Sequence, residues 1–114
     1  MRSLSIVLIL GMLAACASSG GYLEYKPEHW KGQLWAITGT ADDGPDKDTV
    51  IISINNSDVI IGDLSEQDPE DVFTGTYEDY DISANCKLVG AGSGSSKHNC
   101  TVSVDGKPAG RLSF

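Results

Sequence analysis

The chain has 114 residues and a net charge of −8 at neutral pH, with 16 acidic against 8 basic side chains and three cysteines. This length suits one small domain. The negative charge disfavours contact with nucleic acids and with anionic lipid surfaces. We therefore expect one domain and no nucleic-acid partner.

A short leader ends at Cys16. Arg2 precedes an apolar run over residues 4–13, and the sequence Leu-Ala-Ala-Cys occupies residues 13–16. This arrangement resembles the signal peptide and lipobox of bacterial lipoproteins. The apolar run is shorter than the roughly 20 residues of a transmembrane helix. An ordinary secretory leader is the other alternative, but it has no need of a leucine three residues before the cysteine.

The lipoprotein resemblance implies a division of the chain into three parts. Residues 1–15 are the signal peptide, residues 16–21 a lipidated tether, and residues 22–114 a β domain. Cys16 would carry acyl chains such as palmitate, and two chains suffice for stable anchoring. Because Ala17 and Ser18 follow it instead of Asp, the resemblance implies the outer membrane of the cell envelope. It leaves open whether the domain faces the periplasm or the cell exterior.

The first half of the domain alternates with the period of β-strands. Residues 22–30 predict an irregular lead-in or a first edge strand, and residues 33–40 predict a strand that places Trp35 in the core. Residues 49–54 follow as a strand, and residues 59–62 return to complete a hairpin. The inward positions of the strand at 49–54 are Val50, Ile52 and Ile54.

The second half continues the pattern after an acidic loop with one short helical turn at most, over residues 65–72. Residues 73–88 predict either one long bent strand or a hairpin that turns near Glu78-Asp79. A Gly/Ser-rich loop precedes a final hairpin around Asp105-Gly106, a dipeptide suited to a type I′ turn. With no long amphipathic helix, we predict an all-β fold, a small antiparallel sandwich or barrel of six to seven strands.

Two cysteines remain once Cys16 is lipidated. An even pair in an exported protein favours a disulfide over a metal site. Cys86 shares an inward face with Ile82 and Ala84, and Cys100 shares one with Val102 and Val104. Because both side chains face the same core, we predict a Cys86–Cys100 disulfide.

The acidic residues are concentrated in one segment. Residues 42–81 hold thirteen carboxylates against one lysine, a net charge of −12. If the loops at 42–48 and 66–71 lie at one end of the fold, their fields add and favour a cationic protein or divalent ions. Asp42, Asp46 and Asp48 are candidate calcium ligands, although the EF-hand order is absent. A solubilising surface is the simpler interpretation.

No motif predicts catalysis or a cofactor. The Gly-rich stretch at 90–94 lacks the helix that a dinucleotide loop requires. Ser95, Ser96 and His98 lack the rigid elbow of a nucleophile, and nothing places His29 beside them. We therefore expect a non-enzymatic protein. A histidine paired with a serine or carboxylate in a concave pocket would instead point to an enzyme.

The domain resembles small β-barrel lipoproteins of the Gram-negative envelope, such as the membrane-bound lysozyme inhibitors, in size, acidity and single disulfide. The Ser-Gly-x-x-Tyr segment associated with their active loop is absent, and residues 93–97 match it poorly. We therefore expect an envelope-anchored binding or structural module. An inhibitor of a cationic enzyme such as lysozyme and a weak divalent-cation-binding module are the alternatives.

Overall fold

The strands of the protein form two sheets. The structure, a computed structural model, describes residues 21–89 and 97–114. Its strands are β1 (Tyr22–Tyr25), β2 (Trp35–Asp43), β3 (Asp48–Ile54), β4 (Ser57–Leu64), β5 (Glu70–Tyr77), β6 (Tyr80–Leu88), β7 (His98–Val104) and β8 (Lys107–Ser113). Both sheets are antiparallel, in the orders β1-β2-β3-β4 and β5-β6-β7-β8. The described ranges include no helix of the length and apolarity that crossing a bilayer requires, and the all-β prediction is confirmed.

Tight turns connect three of the hairpins. Asn55-Asn56, Glu78-Asp79 and Asp105-Gly106 each combine two positive φ angles, between 49° and 82°. This is the backbone of a type I′ turn, whose twist matches that of the flanking strands. The prediction for Asp105-Gly106 is confirmed, and the turn at Glu78-Asp79 shows that residues 73–88 are a hairpin and not one bent strand.

The core lies between the sheets and follows the predicted alternation. Val50, Ile52 and Ile54 are fully buried on β3, and Trp35 is fully buried at the start of β2. The buried cluster draws on both sheets: Leu23, Trp35, Ile37, Val50, Ile52, Ile54, Ile60, Leu64, Ile82, Ala84, Cys86, Cys100, Val102, Val104 and Leu112. Burial of these apolar side chains holds the sheets together.

The predicted disulfide joins neighbouring strands of one sheet. Cys86 on β6 lies directly opposite Cys100 on β7, and the two sulfurs are 2.08 Å apart. Both residues are fully buried. The bridge therefore closes the connection over residues 89–97, of which residues 90–96 lie outside the described part of the chain.

The predicted number of strands is wrong, and one of the two predicted architectures is excluded. There are eight strands instead of six or seven, because β1 is a true strand and because residues 73–88 form two. The sheets also do not close into a barrel. At the corner between β4 and β5, Phe73 packs against Gly62 and Gly75 approaches the Val59 carbonyl. The two edge strands thus meet by packing at glycines and not through a hydrogen-bonded ladder.

The connection between β4 and β5 is also shorter than predicted. β5 begins at Glu70, inside the predicted loop of residues 65–72. The remaining residues turn without a helical segment, and the backbones of Ser65 and Asp68 exchange two hydrogen bonds of 3.1–3.2 Å. The Ser65 hydroxyl also accepts a hydrogen bond from the Asp68 N–H. These hydrogen bonds close a compact turn, whose acidic side chains Glu66 and Asp68 are exposed.

Candidate functional site

An open cleft of about 680 Å³ lies at one end of the sandwich. Residues 44–48 line it from the β2–β3 loop, and residues 64–67 line it from the β4–β5 connection. Leu88, Val89 and Lys97 line it from the ends of β6 and β7. We call this the acidic cleft. Residues from both acidic loops singled out in the sequence thus meet at one end of the fold.

The charges at the acidic cleft are unequally neutralised. Lys47 pairs with Asp63 at 3.1 Å, and Lys97 pairs with Asp43 at 3.3 Å. Asp46 and Glu66 are exposed on the cleft, and neither is in an ion pair with a residue that the structure describes. Because the cleft's two lysines are already engaged by carboxylates, the local field is negative.

A buried hydrogen bond connects the two sheets beside the acidic cleft. His98, which is only 3% exposed, directs Nε2 at Asp48 Oδ2, 2.8 Å away. Its Nδ1 lies 3.0 Å from the main-chain oxygen of Phe114, and its ring stacks on the Phe114 ring with centroids 5.4 Å apart. Both ring nitrogens therefore face oxygen acceptors, and the imidazolium is the form that donates to both at once.

Asp48 is held in its ionised form. The hydrogen bond from His98 lowers the pKa of the Asp48 carboxyl, against the opposing effect of desolvation. Lys97 lowers it further through its charge, with Nζ 3.8 Å from Asp48 Oδ2. The Asp48 carboxylate thus lies between the His98 imidazole and the Lys97 ammonium group, and these contacts offset the cost of its burial.

His98 follows the Gly/Ser-rich loop in the sequence, and no motif connects it with Asp48. The strand alternation alone indicates that the side chains of Asp48 and His98 both face inward. Asp48 begins the inward series that continues with Val50, and His98 begins the one that continues with Cys100. Two polar residues at the first inward positions of facing strands are candidates for a buried pair.

The His98–Asp48 contact meets the condition that would point to an enzyme, and His98 itself lines a smaller open pocket with Asp43 and Lys97. A histidine is paired with a carboxylate, and Asp48 lines a concave cleft. However, the second ring nitrogen of His98 is occupied by the Phe114 oxygen, so the ring has no free nitrogen to act on a nucleophile. Ser95 and Ser96 lie outside the described residues. His29 lines a separate pocket with Asp105, beyond the opposite end of β7.

The three candidate calcium ligands, Asp42, Asp46 and Asp48, do not lie together in one group of potential ligand atoms. Within the described part of the chain, Asp48 groups with Asp43 and His98, and one potential ligand atom from each residue lies within 4.8 Å of the others. Asp42 and Asp46 belong to no such group there. The Gly-rich stretch at 90–94 lies outside the described residues.

The aromatic side chains pack together at the other end of the sandwich. Trp35 makes edge-to-face contacts with Tyr25, Trp30, Tyr77 and Tyr80, with ring centroids 5.0–6.4 Å apart. The Trp35 indole N–H has no hydrogen-bond partner among the described residues, and it is enclosed by these rings. The cluster is therefore part of the core and leaves the acidic cleft as the candidate binding site.

What the protein does has to be inferred from its own residues. Its two distinctive features are the acidic cleft and the buried pair of Asp48 and His98. No family model, curated protein or solved structure matches the chain.

Proposed function

We propose that this protein is a non-enzymatic binding module of the bacterial envelope, anchored to the outer membrane through a lipid on Cys16, whose acidic cleft receives a cationic protein. The observation that carries this proposal is the convergence of two acidic loops on one cleft. A cationic enzyme such as lysozyme is the partner class with the required charge. Inhibition of such an enzyme would follow if the bound surface includes its active site.

The composition of the cleft supports a protein partner. Asp46 and Glu66 provide negative charge, while the half-buried Leu88 and Val89 provide apolar surface. Charges that lie within a Debye length of each other, about 8 Å at physiological salt, act together on an approaching partner. Such fields mainly accelerate association, whereas apolar contact slows dissociation. A cleft with both is suited to a basic side chain or loop with an apolar neighbour.

A non-enzymatic role is supported by the state of His98. Its two nitrogens are engaged at 2.8 and 3.0 Å, and the ring is almost completely buried. A general base needs one nitrogen free toward the proton that it removes. The contacts of His98 instead hold Asp48 at the edge of the cleft.

Mass spectrometry of the protein extracted from membranes tests the anchor. We expect the mature N-terminus to be Cys16, carrying diacylglycerol on its sulfur and a mass increase consistent with acyl chains. Cys16→Ser should remain unprocessed, because the thiol that receives the lipid is missing. An unmodified Cys16 in the membrane fraction would contradict the anchor.

A pull-down from envelope extract at two ionic strengths tests the cleft. Wild type should retain basic proteins at low salt and release them at high salt, because screening weakens the attraction. The variant Asp46→Asn/Glu66→Gln should lose this retention. Glu78→Gln/Asp79→Asn removes the same charge from the turn between β5 and β6 and should retain them, as wild type does.

Equal retention by both double variants would contradict a specific role of the cleft. A melt with and without calcium tests the alternative of divalent ions. Calcium binding to the native state would raise the free energy of unfolding by about 2.7 kcal/mol at a hundredfold excess over the dissociation constant. If neither experiment responds, the acidic segment is a solubilising surface.

A further inference from the structure

Three side chains of different strands converge beside the acidic cleft. Asp43 ends β2, Asp48 begins β3 and His98 begins β7. They present two carboxylate oxygens and one imidazole nitrogen within 4.8 Å of one another. Since the strands belong to both sheets, this arrangement is fixed by the fold and not by a single flexible loop.

The His98 imidazole ring is oriented by contacts of the kind that orient metal-binding histidines. Its Nδ1 lies 3.0 Å from the Phe114 main-chain oxygen, and its ring stacks on Phe114 with an interplanar angle of 19°. Histidines that bind metals usually donate their second ring N–H to a carbonyl or carboxylate, which fixes the tautomer and the ring orientation. The contact to Phe114 lies outside the ligand group and leaves Nε2 directed at the carboxylates.

The negative charge of the two carboxylates is compensated by the Lys97 ammonium group and by the hydrogen bond from His98 Nε2. Lys97 Nζ lies 3.3 Å from Asp43 Oδ2 and 3.8 Å from Asp48 Oδ2, and the Lys97 side chain is 51% exposed. It can therefore swing into solvent at little cost. A divalent cation that replaced the ammonium group and the Nε2 proton would be neutralised by the two carboxylates.

The ligand atoms must shift to accept an ion, since one pair is too close and pairs near the 4.8 Å limit are too far apart. A tetrahedral ion with ligands at about 2.0–2.2 Å separates neighbouring ligand atoms by about 3.3–3.6 Å. The Nε2–Oδ2 distance between His98 and Asp48 is 2.8 Å, so Asp48 must retreat by about half an ångström. The Asp43 side chain is 60% exposed, which leaves a side open for water as a fourth ligand.

We propose that Asp43, Asp48 and His98 form a binding site for a divalent transition-metal ion of the zinc type. The imidazole ligand selects the class of ion, because calcium and magnesium prefer oxygen ligands alone, whereas zinc accepts nitrogen and oxygen together. The site shares Asp48 with the candidate calcium ligands but does not include Asp42 or Asp46. It does not depend on the proposed protein partner.

Calorimetric titration of the purified full-length protein with zinc chloride alone tests this site. Wild type should bind one zinc ion. Asp43→Asn should bind at least about tenfold more weakly because it loses a charged ligand, and its exposed position should leave the fold intact. Lys97→Gln should bind several-fold more tightly, because the competing ammonium group is removed. Asp46→Asn and His29→Gln, which alter acidic and histidine side chains outside the group, should bind as wild type does.

Cobalt substitution adds a readout of the ligand geometry. Cobalt(II) should give the visible absorption of a four-coordinate site in wild type, and Asp43→Asn should lose it. The proposal is overturned if wild type binds no zinc, or if Asp43→Asn and His98→Gln both bind it as tightly as wild type does. It is also overturned if calcium displaces zinc at equal concentration, since an oxygen-only site would then be responsible. Should His98→Gln fail to fold, Asp43→Asn decides the matter.

Discussion

Replacement of both Cys86 and Cys100 by alanine is expected to lower the free energy of unfolding by about 2–5 kcal/mol, the usual loss for a small exported domain. The bridge joins opposite positions on β6 and β7, the two inner strands of their sheet. It also keeps residues 86 and 100 linked in the unfolded chain. This constraint lowers the conformational entropy gained on unfolding. Urea denaturation followed by tryptophan fluorescence measures the loss as a lower midpoint.

Wild type under reducing conditions separates the bridge from the packing of the sulfur atoms. Reduction breaks the covalent link but keeps both sulfurs in the core, whereas the alanine variant loses both. We expect reduced wild type to be less stable than oxidised wild type, and the alanine variant to be unaffected by reductant. An unchanged midpoint for reduced wild type would contradict a stabilising role of the disulfide.

The strands could be predicted where one face is buried and the other exposed. On β3, the alternation of Val50, Ile52 and Ile54 with partly exposed neighbours matches the pleat directly. Cys86 and Cys100 could be paired for the same reason, since each occupies an inward position on its strand. Asp105-Gly106 could be predicted because few dipeptides suit a turn with two positive φ angles.

The number of strands and the openness of the sandwich could not be predicted in this way. A closed barrel and a two-sheet sandwich place the same residues inward, so alternation does not distinguish them. The distinction depends on whether β4 and β5 pair along their edges. In this fold they pack instead, at Gly62 and Gly75, and this depends on contacts between strands and not on the pattern of either one.

The candidate site was accessible to sequence reasoning only in part. The two acidic loops are evident in the sequence. Their electrostatic fields add only if the loops lie at one end of the fold, and the sequence alone does not show that they do. The pairing of Asp48 with His98 spans 50 positions and connects different sheets. Alternation could have placed each residue inward, but their contact depends on how the two sheets are stacked.

The substitution His98→Leu is expected to cost about 3 kcal/mol of unfolding free energy, measured with a chelator present. It leaves the Asp48 carboxylate buried without its main partner, a change that usually costs 3–5 kcal/mol. The lower end applies because Lys97 lies 3.8 Å away and the Asp48 side chain retains 12% exposure. Asp48→Leu/His98→Leu removes both charges, and a double-mutant cycle should show a loss smaller than the sum of the single losses.

The same pair predicts a dependence on acid. The hydrogen bond from His98 lowers the pKa of Asp48 below its ordinary value of 3.8. The stabilisation by the ionised carboxylate is therefore complete above that value and is lost as the pH falls through the lowered pKa. In His98→Leu this hydrogen bond is absent, so the difference in stability between wild type and the variant should shrink as the pH falls below about 4.

The exposed pair of Lys47 and Asp63 provides the matched comparison. It lies at the same end of the sandwich, with the two side chains 61% and 47% exposed and 3.1 Å apart. Because solvent screens such pairs, Asp63→Asn should lower the stability much less than His98→Leu does. If His98→Leu costs no more than Asp63→Asn, the buried contact with Asp48 does not stabilise the junction of the two sheets. A clear excess instead means that this junction, and with it the edge of the acidic cleft, depends on the contact between His98 and Asp48.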